Sequence, residues 1–102
     1  MGWVLTVLVC MTASPSRADQ ASTEQLYKSK CAMCHGGDGK GQTPVGQKVG
    51  VHDFSSAEVR KESAADLAQI IQKGKNKMPA YEGKLKPEEI KDLAGYVREF
   101  GK

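Results

Sequence analysis

Residues 31–41 read Cys31-Ala32-Met33-Cys34-His35-Gly36-Gly37-Asp38-Gly39-Lys40-Gly41, two thiols and an imidazole within five residues and then a run of glycines. Four chemistries gather such groups so closely: a redox dithiol, a zinc half-site, a local disulfide, or an attached porphyrin. A thioredoxin-like Cys-x-x-Cys opens a helix within a βαβ unit, whereas here no strand-like pattern precedes the pair and it ends a helical stretch. Structural zinc needs four ligands. After Cys31, Cys34 and His35 only His52 remains among the soft ligands, and adjacent Cys34 and His35 cannot easily both face one metal. A Cys31–Cys34 disulfide closes a very small loop and leaves His35 without a role.

A haem accounts for every member. Thioethers to its two vinyl groups need cysteines about one helical turn apart on one face, and the next residue then lies beneath the iron. Cys-x-x-Cys-His is the attachment signature of c-type haem. The glycines that follow suit a sharp turn past the porphyrin edge, since glycine tolerates positive φ. They do not make a phosphate loop: the Gly-x4-Gly-Lys-Ser/Thr pattern is missing and no strand leads into them.

Upstream, the apolar run Trp3–Val9 is too short to span a bilayer comfortably. It leads to Ser16-Arg17-Ala18, a small-x-Ala pattern of the kind signal peptidase cuts. Residues 1–18 are therefore expected to be an export signal and 19–102 the domain. The alternative, a buried N-terminal element, fits poorly with the polar, Pro-broken stretch that follows. No Lys or Arg precedes the run, so the usual positive n-region is missing. Cys10 stands in a lipoprotein-like place, but Val9 before it is not small, and a lipid anchor is not expected. Removing 18 of the 102 residues leaves 84, with two cysteines and with 14 Lys and Arg against 12 Asp and Glu. That balance is too mild for nucleic-acid binding, and no membrane span is expected after removal of the signal. A chain this short builds a marginal core and needs a disulfide, metal or cofactor to supplement it.

The periodicity predicts an all-α domain with three main helices and long connections. The first covers about Thr23 to Met33, with Ser22 and Gln25 resembling a capping box and Tyr27 and Cys31 on one face. From Gly36 to Phe54 the pattern fails and a long irregular loop is expected, wrapped around something. Ser55–Val59 is expected to form a short helical turn. The second main helix is Ala64–Lys73, with Ser63 and Asp66 as its capping signal and Leu67, Ile70 and Ile71 as its apolar stripe. The third runs from Pro87 to about Phe100, with Glu88 and Glu89 in its first turn and Ile90, Leu93, Ala94 and Val97 on its buried face.

An iron held by His35 alone would bind gases or peroxide; one capped on both sides passes electrons. Met33 is fixed on the proximal side between the cysteines and is out of reach. His52 lies in the long loop, where a solvated imidazole is the plainer expectation. Met78 lies in an interhelical loop, where a core-filling methionine is less expected, and Pro79 stiffens the backbone that presents it. Met78 is the expected sixth ligand, and a thioether there raises the reduction potential.

With these residues in view, the chain resembles the class I cytochromes c of the short bacterial kind. The likeness covers residues 22–102 and rests on "CAMCHGGDGKG", "LAQIIQKGKNKMPAY" and "LKPEEIKDLAGYVREF" in that order. It implies a small fold wrapped around one haem c, held by Cys31 and Cys34, with His35 and Met78 as the iron's axial ligands. It implies that the Pro44 carbonyl accepts a hydrogen bond from the proximal imidazole. It implies that the first and last helices cross through Tyr27, Leu93 and Tyr96. Two departures stand out: Thr23 where the crossing usually has Gly or Ala, and Lys86 where a capping side chain is usual before Pro87, at a cost of about 1 kcal/mol. The expected activity is one-electron transfer by an exported, monomeric carrier between redox partner proteins, with no enzymatic step. Lys73, Lys75 and Lys77, with Lys28, Lys30 and Lys40, offer either a rim that steers acidic partners or simply a solvated basic face. The rival from another class is a haem enzyme or sensor with a labile sixth site, against which counts the lack of a peroxidase-like distal His-Arg pair.

Overall fold

The computed structural model describes residues 2–6 and 17–102; residues 7–16, which include Cys10 and much of the expected export signal, lie outside them. Trp3, Val4 and Leu5 are exposed and take no part in the core. The described residues form six helices: α1 (Arg17–Lys30), α2 (Ala32–His35), α3 (Pro44–Val49), α4 (Ala57–Arg60), α5 (Ala64–Lys73) and α6 (Pro87–Glu99). No strand forms among them beyond isolated bridges at Lys75–Met78 and Glu82–Leu85, so the domain is all-α as expected.

α5 begins where its capping signal stands. The Ser63 hydroxyl accepts from the Asp66 amide at 3.1 Å, and the Asp66 carboxylate accepts from the Ser63 amide at 3.2 Å. At the start of α6, Lys86 has no acceptor to offer, but the Glu89 carboxylate accepts from its amide at 2.9 Å. Half of the reciprocal cap therefore survives the unfavourable residue. α5 and α6 make the most extensive helix pair, and α1 packs on α6. Leu67 and Ile71 of α5 meet Ile90, Leu93, Ala94 and Val97 of α6, and Leu85 and Tyr27 complete the core. Leu93 and Ala94 are wholly buried, and Tyr27 is 1% exposed. The expected aromatic contact between the first and last helices forms, with Tyr27 and Tyr96 ring centroids 5.0 Å apart and Phe100 5.3 Å from Tyr27. Thr23 is itself buried, so the departure at that position is absorbed within the packing.

Three boundaries differ from the sequence expectation. α1 begins at Arg17, so Ser22 lies inside the helix and does not cap it. The preceding residues carry no apolar stripe, yet they include good helix formers such as Ala and Gln. At the other end α1 bends at Cys31 rather than running straight to Met33. The i→i−4 bonds continue from Cys31 to Tyr27 at 2.9 Å and from His35 to Cys31 at 3.0 Å, carrying the chain into α2. The stretch expected to be irregular contains α3. Thr43 caps it, accepting from the Gly46 amide at 2.9 Å, and Pro44 takes the first helical position.

Candidate haem-attachment site

The α1–α2 bend places Cys31, Cys34 and His35 on successive positions of one turn. Both thiols are free, half-buried and not joined to each other. Burial, with Cys34 alongside, pushes the Cys31 thiol up to about 11. Burial also lowers the His35 pKa, keeping its imidazole neutral. The ring stacks on Phe54, with centroids 4.5 Å apart and planes 24° from parallel.

Several bonds hold this turn. The Tyr27 hydroxyl donates to the Gly36 carbonyl at 2.6 Å, and the Gly41 amide donates to the His35 carbonyl at 2.8 Å. Gly36, Gly39 and Gly41 take φ of +80°, +73° and +69°, the conformations expected of the glycine run. The Thr43 hydroxyl donates to the Cys34 carbonyl at 2.7 Å while capping α3. α3 approaches so closely that a Cβ on Gly46 would run into the Cys34 carbonyl oxygen.

One expectation is not met. The His35 Nδ1 atom is buried and has no hydrogen-bond partner among the described residues, so the bond to the Pro44 carbonyl is not formed. Pro44 is the first residue of α3, where a carbonyl belongs to the helix's own ladder. The polar contact between α3 and the attachment turn comes instead from the neighbouring Thr43. His52 is exposed and pairs with Glu58 at 3.4 Å. Met33 is 74% exposed on α2. Met78 is half-buried against the core, and its loop reaches the attachment turn through the Tyr81 hydroxyl, which donates to the Lys30 carbonyl at 3.0 Å. Thr43, Phe54 and Tyr81 are thus site-building residues that periodicity could not single out.

The donor set fits an iron porphyrin: two free thiols one turn apart, a half-buried imidazole beside them, and a half-buried thioether on a loop tied to the same turn. A family model described as cytochrome c oxidase, cbb3-type, subunit III matches residues 18–97. Cytochrome c6 of Nostoc sp. is 36% identical over 80 residues, which is 78% of this chain and 69% of that protein. Cytochrome c6 of Thermosynechococcus vestitus is 33% identical over 95 residues, 91% of this chain and 80% of the relative. The oxidase subunit FixP of Bradyrhizobium diazoefficiens is 33% identical over 88 residues, but these make up 28% of FixP. Among solved structures, the KustC0563 c-type cytochrome matches with a TM-score of 0.72 at 36% identity, covering 78% of this chain and 98% of that one. The chain belongs to the class I cytochromes c. It is an electron-transfer protein that works through haem c rather than an enzyme acting on a substrate.

Proposed function

We propose that this cytochrome is an exported, monomeric carrier whose haem is held by Cys31 and Cys34 and ligated by His35 and Met78. The attachment turn carries this reading: two free thiols and a half-buried imidazole on one turn of helix. Cys31 and Cys34 would each hold the haem through a thioether, and His35 and Met78 would hold its iron. When bound, the haem iron supplies the one-electron couple. The protein's part would be to keep the His35 and Met78 side chains fixed in both oxidation states. Phe54 restrains the His35 ring by stacking, and Tyr27 and Phe100 pack against Phe54 in turn. Donor and acceptor are redox proteins that need only dock near the cofactor.

The test is expression beside a haem-c maturation system. The parent is expected to give a covalently haem-stained band that Cys31→Ala with Cys34→Ala abolishes. Met78→Ala is expected to keep the stain, change the optical spectrum, lower the reduction potential and admit carbon monoxide to the reduced protein. Prompt carbon monoxide binding by the parent would instead point to a labile sixth site.

A further inference from the structure

Met78 sits in a tight turn in which its amide donates to the Lys75 carbonyl at 2.9 Å and its carbonyl accepts from the Lys75 amide at 3.2 Å. A Cβ on Gly74 would meet the Met78 carbonyl oxygen at 2.7 Å, so the turn is pressed closely against the end of α5. Beyond it, the Tyr81 and Glu82 amides donate to the carbonyls of Ile71 at 3.0 Å and Gln72 at 3.1 Å. Lys73 adds an ion pair to Glu82 at 2.8 Å. These bonds tie the loop to α5, its neighbour in sequence.

The Tyr81 hydroxyl reaches elsewhere. It donates to the Lys30 carbonyl, 51 residues earlier, at the end of α1. The break at Cys31 makes that acceptor available: the Cys34 amide goes to the Cys31 carbonyl, leaving the Lys30 carbonyl without a backbone donor among the described residues. The last carbonyl before the attachment motif is thus satisfied by the loop carrying the methionine.

We propose that the Tyr81 hydroxyl is a latch that joins the Met78 loop to the helix bearing the cysteines and sets how readily Met78 leaves the iron. The inference rests on Met78 being the sixth ligand. Tyr81 acts through the loop and is a positioning residue. Its ring packs on the core, which phenylalanine would do equally well, so the hydroxyl's contribution can be isolated.

The experiment adds imidazole to the ferric holoprotein, where its uptake reports how often Met78 lets go. Tyr81→Phe is expected to take up imidazole roughly three- to tenfold faster, the factor carried by one ordinary hydrogen bond. The Met78 amide is expected to exchange its hydrogen faster by a similar factor, with α6 amides unchanged. Ile90→Val, which thins the core on α6 but leaves the hydroxyl's bond in place, is expected to keep the parent's uptake rate. If Tyr81→Phe binds imidazole at the parent rate, or if Ile90→Val accelerates it equally, the latch is refuted. If Met78→Ala leaves the spectrum unaltered, the ligand assignment fails and the latch with it. An altered Met78→Ala spectrum beside an unaltered Tyr81→Phe rate removes the latch alone.

Discussion

Tyr27 concentrates much of the physics in one side chain. Its ring fills the contact between α1 and α6, and its hydroxyl holds the Gly36 carbonyl at 2.6 Å behind the attachment turn. Burial holds the phenol neutral well above its ordinary 10.0. The unfolded chain loses that proton near pH 10, where the folded chain still keeps it. The contribution to stability is therefore complete below pH 10 and lost as pH rises beyond it. Tyr27→Phe is expected to cost about 1–2 kcal/mol at neutral pH, because the buried carbonyl loses its donor. It is also expected to flatten the fall in stability above pH 10, which urea unfolding across a pH series would record. His35 offers the contrasting case. Its place in the attachment motif was legible from Cys-x-x-Cys-His, but its stacking on Phe54 was not, because Phe54 closes a loop without periodicity.

Among the elements, α5 and α6 were the most legible. Both combine an apolar stripe with a start signal, Ser63 and Asp66 for one and Pro87 with two glutamates for the other. α3 was hidden because six residues are too few to display a 3.6-residue period, and its evidence is the Thr43-Pro44 pair alone. That threonine deserves a test of its own, since one oxygen both caps α3 and donates to Cys34. Thr43→Val keeps the shape and removes both bonds, and is expected to destabilise the protein by about 1–2 kcal/mol. Thr43→Ser is expected to restore most of the loss, measured as the shift in the urea midpoint. The bond expected between Pro44 and the His35 ring is not formed, for a related reason. A sequence resemblance can point to a proline but cannot say which neighbouring atom faces the turn.

Over the whole molecule the net charge is +3, and the structure divides the six lysines of the expected rim into two groups. Lys28 pairs with Glu24 at 3.2 Å and Lys73 with Glu82 at 2.8 Å, which blunts both. Lys30, Lys40, Lys75 and Lys77 are exposed and make no ion pair among the described residues. Electron transfer to an acidic partner is therefore expected to slow several-fold as salt rises from about 0.01 to about 0.2 M. Lys75→Gln with Lys77→Gln is expected to flatten that dependence, and a parent rate indifferent to salt would dismiss the rim. The all-α architecture and the position of the cysteine turn could be read from residue order. What could not be read was the long-range hydrogen bonding, for a pair such as Tyr81 and Lys30 leaves no periodic trace.

The order in which the helices meet has its own consequence. α5 and α6 are neighbours in sequence, separated by residues 74–86, while α1 reaches α6 only when more distant parts of the chain come together. Loop-closure entropy makes the first union cheap and the second slow. The thiols belong to the late-closing arm. A newly made chain is accordingly expected to present them unshielded while its C-terminal half is already organised.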